Sequence, residues 1–448
     1  MSNESAQNPS YCCPDFAGPL RATVRIPGSK SVTNRALICA ALADGTSLLK
    51  NALLAEDTRL MIEVLRNLGI AVTVDELTSV VEITGCRGDI PASEAELFCG
   101  NAGTVMRFGS ALVATGYGTY RLDGAPRMRE RPIGPLGAAL QELGAGIEYL
   151  DQEGYPPLHV HANGLRGGSV SFSQLQSSQF VSALMLAAPY ARGDVFIETI
   201  GDVPSRPYLA MTQAVMERFG VNMLRDEQDG FPTKTVRLIV ESTQRYQGTT
   251  VAVEPDATNA TYFLAAPAVA GGTVTVEGFG TESVQGDVKF VDLLEKMGCA
   301  VEREASRITV SRSPNAGRLR AIDADLNAMP DTVPTLAVLA LFADGQTTIR
   351  NVANLRVKET DRLEALANEL TKFGATADST LDGLTIHPPD RILPATIETY
   401  DDHRMAMSFA LAGLKCPGVV IRNPGCCAKS FPDFFARWER MIHAANET

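Results

Sequence analysis

A short pattern of apolar and polar residues, called the first phrase below, recurs along the chain every 75 to 78 residues. The phrase is a helix that ends in an apolar residue and a glycine, followed by an alternating strand. It reads LRNLG-IAV, LQELG-AGIEY, MERFG-VNM, LEKMG-CAVE and LTKFG-ATA, and its glycines are Gly69, Gly144, Gly220, Gly298 and Gly374. Glycine suits this position because its backbone adopts the left-handed conformation that closes a helix.

A second phrase has nearly the same period: an apolar helix, a glycine turn and a β-branched strand. It reads ALADGTSLL, LVATGYGTYRL, APYARGDVFI, APAVAGGTVTV, LFADGQTTI and LAGLKCPGVVI, with turn glycines 73, 75, 79, 73 and 73 residues apart. Because two independent phrases share one period, the chain is predicted to hold six copies of one α/β unit. The period leaves open whether the copies form one ring or two groups of three.

Polar clusters containing cations stand directly before the predicted apolar helices. The cations of these clusters are Lys30, Arg35, Arg107, Arg206, Arg356, Lys358, Arg362, Arg404 and Lys429, and the loop PRMRERPIG adds Arg127, Arg129 and Arg131. Helix N-termini attract anions through their unpaired N–H groups and the helix dipole. The repeated helix starts therefore predict a positive site for a small polyanionic molecule.

Composition narrows the class of partner. The 448 residues contain 40 Lys and Arg against 52 Asp and Glu, a net charge of −12, which disfavours broad nucleic-acid binding. Nine cysteines that form no regular framework favour a reducing, cytoplasmic location. Apolar runs are too short to span a membrane. The polar N-terminus lacks the order of a signal peptide, and we expect residues 1–14 to be a loose tail.

Several familiar motifs are excluded or left with a structural role. GSKS resembles the end of a phosphate-binding loop, but Thr23 stands where the earlier glycine would be, so a nucleotide loop is disfavoured. The chain has no C-x-x-C spacing. His159 and His161 lie on a predicted strand with no evident third ligand, so we expect them to be structural and predict no metal site.

Two acidic residues are candidates for proton transfer. Asp331 lies in MPDTVP at a helix start, where it could simply cap the helix. Glu359 lies between Lys358 and Arg362, where it could simply form an i,i+3 pair. A carboxylate among several cations would instead be held ionised and could relay protons to a bound anion.

Taken together, the motifs resemble those of the EPSP synthases of the enolpyruvyl transferase family. The matching segments, in family order between residues 27 and 440, are PGSKSVTNRAL, GNAGTVMR, PRMRERPIG, SSQFVSALM, RVKETDRL, DDHRMAM and the segment around Lys429. The resemblance implies an enzyme that transfers the enolpyruvyl group of phosphoenolpyruvate to the 5-hydroxyl of shikimate 3-phosphate, releasing phosphate. It implies addition–elimination chemistry in chorismate and aromatic amino-acid biosynthesis, with no cofactor.

The same resemblance implies a fold and a set of partners. The family's fold is α/β, with two similar domains of three βαβαββ units each. We expect one domain at 29–253, binding mainly shikimate 3-phosphate. Residues 1–28 with 254–448 would form the other, which completes the phosphoenolpyruvate site. The partners would be these two small molecules, without nucleic acid or membrane, and we expect a monomer.

Site residues are implied position by position. The shikimate 3-phosphate ligands would be Lys30, Ser31, Arg35, Thr104, Ser177, Ser178, Gln179, Ser205, Tyr208, Asp331, Asn354 and Lys358. The phosphoenolpyruvate ligands would be Lys30, Asn101, Gly103, Arg127, Gln179, Arg362, Arg404 and Lys429. Asp331 resembles the base for the 5-hydroxyl. Glu359 resembles the acid for the methylene carbon, with Lys30 assisting.

One departure and two alternatives accompany the resemblance. Phe108 stands where the family commonly has proline, although Gly103 matches the form associated with sensitivity to glyphosate, so glyphosate inhibition is a hypothesis. A related enzyme acting on UDP-N-acetylglucosamine usually has a cysteine in the PRMRERPIG loop and asparagine in place of Ser31. A non-catalytic anion sensor on the same scaffold is the other alternative.

Overall fold

The computed structural model describes residues 9–228 and 235–446, and the chain divides into two compact units. One unit is Pro27–Glu254, and the other joins the residues up to Ile26 with those from Pro255 onward. The chain therefore passes from one unit to the other after Ile26 and returns after Glu254. The range 29–253 expected for one domain lies within the first of these units.

Helices and strands alternate along the whole described chain. The strands are β1 Ser10–Cys12, β2 Leu20–Arg25, β3 Thr46–Lys50, β4 Ala71–Asp75, β5 Val80–Thr84, β6 Glu94–Phe98, β7 Tyr117–Asp123, β8 Gly146–Tyr149, β9 Leu158–Asn163, β10 Gly168–Ser173, β11 Val195–Ile200, β12 Leu224–Gln228, β13 Thr235–Val240, β14 Thr250–Ala252, β15 Gly272–Glu277, β16 Ala300–Arg303, β17 Arg307–Arg312, β18 Asp323–Asp325, β19 Thr347–Arg350, β20 Thr376–Ser379, β21 Leu384–His387, β22 Thr396–Ile397 and β23 Val420–Arg422. The α-helices are α1 Lys30–Leu42, α2 Glu56–Asn67, α3 Gly103–Ala114, α4 Pro126–Arg129, α5 Gly134–Glu142, α6 Gln179–Ala187, α7 Pro207–Arg218, α8 Ala257–Ala270, α9 Phe290–Lys296, α10 Val333–Ala340, α11 Arg362–Thr371, α12 His403–Gly413 and α13 Phe434–Asn446. Short 3₁₀ helices lie at Ala188–Tyr190, Gly286–Lys289, Pro330–Thr332, Ala353–Val357 and Pro424–Lys429.

The sheets of the Pro27–Glu254 unit share one topology. Their strand orders are β14-β3-β5-β4, β6-β7-β9-β8 and β10-β11-β13-β12. In each sheet the first pair is parallel and the other two pairs are antiparallel. A parallel pair needs a crossover, which α3 supplies between β6 and β7, whereas the antiparallel strands β8 and β9 follow each other directly. Each unit of the repeat is therefore βαβαββ.

The other unit repeats this topology with one shortened copy. Its strand orders are β16-β17-β15-β2, β18-β19-β21-β20 and β22-β23-β1. The glycines of the first phrase all have left-handed backbone, with φ of 81°, 101°, 85°, 103° and 90° for Gly69, Gly144, Gly220, Gly298 and Gly374. The sixfold repeat predicted from the two phrases is confirmed.

Helices that are buried along their whole length form the core of each unit, and two of them, α3 and α10, begin at predicted polar clusters. Every residue of α3, α8 and α10 is buried. These helices are apolar on all sides, which is the pattern expected when helices are packed between layers. The unit that joins the residues up to Ile26 with those from Pro255 onward is called the C-terminal unit below. It contains an aromatic cluster in which Phe263, Phe434 and Trp438 lie with ring centroids 5.6 to 5.7 Å apart.

The expectation of a loose N-terminal tail is wrong for Ser10–Cys12. This segment is β1, which pairs antiparallel with β23, and the Tyr11 ring lies 4.1 Å from the Phe435 ring. The strand forms because β23 presents an edge that offers backbone partners to an extended segment. Residues 1–8 of the expected tail lie outside the described residues.

Two further findings bear on the expectations about location. All nine cysteines are free thiols. Across residues 9–228 and 235–446, every helix falls short of the length and apolar character that crossing a bilayer requires. The cytoplasmic location stays a prediction.

Candidate active site

The first turns of α1, α3, α6 and α7 lie together in the Pro27–Glu254 unit. Asn34 of α1 donates to Thr104 Oγ1 of α3 at 2.7 Å, and Arg35 donates to Ser182 of α6 at 3.3 Å. Arg35 also donates to the Tyr208 carbonyl of α7 at 3.4 Å. Because each helix begins at a polar cluster, these contacts bring the predicted shikimate 3-phosphate residues of this unit into one neighbourhood.

Arg35 is a buried residue whose hydrogen bonds connect α1, α6 and α7. Its side chain is buried, and it also donates to Thr212 Oγ1 at 2.7 Å and to the Ser31 carbonyl at 2.9 Å. The guanidinium lies over the Phe108 ring at 5.2 Å. Much of its donor capacity is therefore used inside the protein, so Arg35 fixes the position of Ser31 and the start of α1. Its predicted contact with the substrate phosphate stays a prediction.

Lys30 forms an ion pair that the sequence did not indicate. Its Nζ lies 3.0 Å from Asp57 Oδ2, and both side chains are largely buried. Lys30 is the first residue of α1, where Ser29 caps the helix, and Asp57 lies in the first turn of α2. A buried carboxylate in contact with the ammonium holds the lysine side chain in place. Asp57 therefore positions Lys30.

Gly103, the first residue of α3, is closely surrounded by the side chains of Arg107, Arg131 and Gln179, which we call the Gly103 enclosure. A Cβ added there would lie 2.7 Å from Arg131 Nη2, 2.8 Å from Arg107 Nη1 and 3.1 Å from Gln179 Oε1. Arg131 also donates to the side chain of Asn101 at 3.0 Å. A side chain at this position would displace the ends of these three polar side chains. Arg131 was noted in the sequence as a loop cation but was given no role.

The remaining predicted ligands of this unit lie at helix starts and turns. Ser177 Oγ accepts a hydrogen bond from the Gln179 backbone N–H at 3.2 Å, and Ser178 immediately precedes α6. Ser205 has left-handed backbone with φ of 57° just before α7. Arg127 lies in the short helix α4 with its Nη1 2.7 Å from Glu130.

In the C-terminal unit, Asp331 lies at the meeting point of three cations. Its Oδ1 lies 3.0 Å from Arg362 and 3.4 Å from Lys358, and its Oδ2 lies 2.9 Å from Arg404. Burial alone would raise the pKa of Asp331, but Arg404, Lys358 and Arg362 outweigh it and hold that pKa well below its usual range. Asp331 is therefore an ionised carboxylate in a cationic setting, rather than a simple helix cap.

Glu359 forms the i,i+3 pair that the sequence allowed, but the pair is buried. Arg362 Nη2 lies 2.8 Å from Glu359 Oε2, and the two side chains are 1% and 9% exposed. An exposed pair of this kind would contribute little, whereas a buried one fixes both groups. Because Arg362 contacts both Asp331 and Glu359, it sets the spacing of the two candidate proton-transfer groups.

Asp402 links the two arginines of this site. Arg362 Nε donates to Asp402 Oδ2 at 2.7 Å, and the Arg404 backbone N–H donates to Oδ1 at 2.9 Å. Asp402 is thus both the N-cap of α12 and a buried counter-ion. Its place immediately before an apolar helix is a signal for the cap, but the contact with Arg362 depends on tertiary packing.

Two more predicted ligands of this unit, Asn354 and Lys429, are buried in 3₁₀ helices. Asn354 is buried in the 3₁₀ helix Ala353–Val357, and its Oδ1 lacks a hydrogen-bond partner among the described residues. Lys429 is buried at the end of the 3₁₀ helix Pro424–Lys429. A buried acceptor of this kind is what a polar ligand would satisfy.

Sequence reasoning missed Asp287. Burial, followed by the charge of Asp331, raises the pKa of Asp287 to about 6. Thr258 donates a hydrogen bond to its Oδ2. Asp287 lies in a 3₁₀ helix between apolar segments, where no local pattern predicts a proximity to Asp331.

The expectation that His159 and His161 have no third ligand is wrong. Glu148, on the neighbouring strand β8, lies 3.1 Å from His159 Nδ1 and 3.2 Å from His161 Nε2. The contact depends on the register of β8 against β9, across a loop that the sequence pattern does not define.

Comparison with known proteins decides the family. The family model of EPSP synthase (3-phosphoshikimate 1-carboxyvinyltransferase) matches residues 15–438. The chain belongs to the EPSP synthase family. Among relatives of that family, the 3-phosphoshikimate 1-carboxyvinyltransferase of Sulfurovum sp. (strain NBC37-1) is 49% identical over 418 residues, covering 93% of this chain and 95% of the relative.

A plant relative and a solved structure support the assignment of the chain to the EPSP synthase family. The chloroplastic 3-phosphoshikimate 1-carboxyvinyltransferase of Arabidopsis thaliana is 47% identical over 93% of this chain and 82% of its own. The crystal structure of EPSP synthase from Acinetobacter baumannii superposes with a TM-score of 0.76 at 26% identity, covering 96% of this chain and 97% of that one. The expected fold, two sets of three βαβαββ units, is confirmed, with one copy shortened to a three-stranded sheet.

Proposed function

We propose that the protein transfers the enolpyruvyl group of phosphoenolpyruvate to the 5-hydroxyl of shikimate 3-phosphate, with release of phosphate. The observation that carries this proposal is the position of Asp331, an ionised carboxylate in contact with Lys358, Arg362 and Arg404. Both substrates carry phosphate and carboxylate groups, which such cations bind. The enzymes named in the comparisons support the choice of reaction.

The Pro27–Glu254 unit supplies anion contacts in this account. We assign Lys30, Ser31, Thr104, Ser205, Tyr208 and the Ser177–Gln179 turn to shikimate 3-phosphate, with Arg35 behind them. Asn101, Gly103, Arg127 and Gln179 are assigned to phosphoenolpyruvate, together with Lys30. These groups lie at helix N-termini, where backbone N–H groups and the helix dipole favour negative charge.

The C-terminal unit supplies the acid and the base, with further anion contacts. Asn354 and Lys358 are assigned to shikimate 3-phosphate, and Arg362, Arg404 and Lys429 to phosphoenolpyruvate. Asp331 is the base for the 5-hydroxyl and Glu359 the acid for the methylene carbon. Bound substrate anions would draw the three cations away from Asp331, which raises the basicity of that carboxylate when it is needed.

The reaction then proceeds by addition and elimination. Asp331 accepts the hydroxyl proton as the oxygen bonds to C2 of phosphoenolpyruvate. Glu359, which takes up a proton once the substrate anions have drawn Arg362 away from it, gives that proton to the methylene carbon C3. The product of this step is a tetrahedral intermediate with a methyl group. The Glu359 carboxylate then takes a proton back from the methyl group, the C=C bond forms again, and the C2–O bond to phosphate breaks with release of inorganic phosphate. Fixed cations stabilise both flanking anions throughout these steps.

The alternatives are less favoured. Curated relatives at 45 to 49% identity are named 3-phosphoshikimate 1-carboxyvinyltransferases, which does not favour UDP-N-acetylglucosamine as acceptor. A non-catalytic sensor would not need Asp331 and Glu359 placed on one arginine. We expect the substrates to be small molecules, the protein to be a cytoplasmic monomer without nucleic-acid or membrane partners, and glyphosate to compete at the Gly103 enclosure.

Phosphate release tests this assignment. The purified chain is incubated with phosphoenolpyruvate and either shikimate 3-phosphate or UDP-N-acetylglucosamine, and inorganic phosphate is measured. Release with shikimate 3-phosphate alone supports the proposal. Release with the sugar nucleotide alone would replace the acceptor, and release with neither would favour the sensor.

A further inference from the structure

Glu148, His159 and His161 place three metal-binding atoms together on the sheet β6-β7-β9-β8. Glu148 Oε2 lies 3.1 Å from His159 Nδ1 and 3.2 Å from His161 Nε2, and the three atoms lie within 4.8 Å of one another. We propose that these side chains form a surface site for a divalent transition-metal ion such as Zn²⁺. The site is separate from the residues assigned to the transferase reaction.

The backbone of the β8–β9 hairpin arranges these ligands before any ion arrives. His159 and His161 are two residues apart on β9, so their side chains project from the same face of the sheet. The antiparallel register places Glu148 of β8 directly opposite His159. All three ligands therefore come from two adjacent strands, whose relative position is fixed by hydrogen bonds.

Gly146 provides the space that His161 occupies. It lies opposite His161 in the register, and a Cβ added there would be 3.0 Å from His161 Cβ and 3.6 Å from Cδ2. The absence of a side chain lets the imidazole ring lie close to β8, which brings its Nε2 towards Glu148. A larger residue at position 146 would push the ring away.

Thr119 orients the same ring from the other side. It lies opposite His161 on β7, and its Oγ1 is 3.2 Å from His161 Nδ1. With Nδ1 engaged by a hydroxyl, Nε2 is the atom left towards Glu148. Hydrogen bonds to the distal nitrogen of a ligating histidine orient the ring in this way in known metal sites.

The donor chemistry and the two separations from Glu148 Oε2 suit a tetrahedral ion. Zn–ligand bonds of about 2.0–2.1 Å place tetrahedral donors roughly 3.3 Å apart, close to the separations of Glu148 Oε2 from the two imidazole nitrogens. Two imidazoles and one carboxylate leave a position for water, and this donor set suits Zn²⁺, Cu²⁺ and Ni²⁺.

The site is accessible, and its charge balance favours a cation. The side chains of His159, His161 and Glu148 are 29%, 47% and 57% exposed, so an ion can reach them from solution. Arg121 lies opposite His159 on β7, but Glu96 at 3.7 Å and Asp123 at 3.0 Å, a carboxylate shared with Arg129, counter its charge. A bound ion would link β8 to β9 and stabilise this hairpin.

Zinc titration of the full chain, purified without a histidine tag and stripped with a chelator, tests the proposal. Calorimetry with ZnCl₂ should show one saturable site that raises the melting temperature. His159→Ala and His161→Ala should each weaken zinc binding by at least about tenfold, and Thr119→Val should weaken it by about tenfold. His387→Ala, at an exposed position of β21, is the matched control and should bind zinc as the wild type does.

Three results would overturn the proposal. One is the absence of saturable zinc binding to the wild type, and another is unchanged binding in His159→Ala and His161→Ala. The third is loss of zinc binding in Cys12→Ser, which would assign the ion to an exposed thiol. Unchanged circular dichroism and phosphate-release activity in the histidine variants show that loss of zinc binding does not result from misfolding or from damage to the transferase site.

Discussion

Arg362 and Asp402 form a fully buried ion pair in which two guanidinium nitrogens contact the two carboxylate oxygens at 2.7 and 3.2 Å. The side chains are 1% and 0% exposed. Burial alone would lower the pKa of Arg362, but Asp402, Glu359 and Asp331 outweigh it and raise that pKa. Arg362 therefore stays positively charged beside the candidate base and acid, with Asp402 as its counter-ion.

Asp402→Ala should be strongly destabilising. Removing one partner of a buried pair leaves an uncompensated charge, which costs about 3–5 kcal/mol, and the N-cap of α12 is lost as well. The melting temperature measures the loss. Asp433→Ala removes a partly exposed i,i+4 partner of Arg437 and should change stability by less than about 1 kcal/mol. Equal melting temperatures for the two variants would contradict the importance of the buried pair.

Gly103→Ala should impair phosphoenolpyruvate binding because the new methyl group would lie 2.7 to 3.1 Å from Arg131, Arg107 and Gln179. We expect KM for phosphoenolpyruvate to rise by about tenfold or more, as the loss of one charge-assisted contact would give. Gly109→Ala is the matched control in the same helix, since its Cβ would meet Leu122 at an ordinary 3.6 Å. If both variants keep the wild-type KM, the enclosure is not part of the substrate site.

The starts of the site helices could be predicted from the sequence. Lys30, Arg362 and His403 each follow a polar cluster and open an apolar helix, so local pattern and capping chemistry place them. The period of the repeat predicted six copies of one α/β unit for the same reason, whereas the βαβαββ order of that unit was implied by the family resemblance. These features depend on residues near one another in the chain.

Asp331→Asn should lower kcat far more than it raises KM. The amide keeps the shape of the side chain but cannot accept the hydroxyl proton, and loss of a general base costs about 10²–10⁴-fold in rate. Steady-state kinetics with both substrates measure the split. Asp323→Asn, an exposed aspartate paired with Arg350, should behave as the wild type. A wild-type kcat in Asp331→Asn would remove Asp331 from the base role.

Asp287 should make stability depend on pH. Its pKa is raised to about 6 by burial and by Asp331, so between about pH 4 and 6 the folded chain holds a proton that the unfolded chain has released. Stability from this group is therefore greatest at low pH and is lost as pH rises through that window. At pH 7 the free energy of unfolding of Asp287→Asn should exceed that of the wild type by up to about 3 kcal/mol.

Melting temperatures at a series of pH values test this. The difference between Asp287→Asn and the wild type should grow from pH 4 to 6 and then level off. Asp292→Asn, at a half-exposed position, is the control and should show no such growth. A difference for Asp287→Asn that does not change with pH would contradict a raised pKa.

The contacts that the sequence could not predict join residues from different helices, from different copies of the repeat or from paired strands. Asp57 meets Lys30 through the packing of α2 on α1, and Asp287 approaches Asp331 from a separate repeat. Glu148 reaches His159 through strand register, which a loop of undefined conformation conceals. Pattern predicts which residues begin a helix, but tertiary packing decides which carboxylate each cation meets.

The incorporation of solvent deuterium into the product tests the central claim, proton transfer to phosphoenolpyruvate, most directly. In D₂O with shikimate 3-phosphate, protonation of C3 by Glu359 would deliver deuterium, and loss of any methyl hydrogen would leave much of it in the product. Mass spectrometry should therefore find deuterium in the enolpyruvyl methylene group, formed far more slowly by Glu359→Gln. A wild-type product without deuterium would contradict addition–elimination at this site.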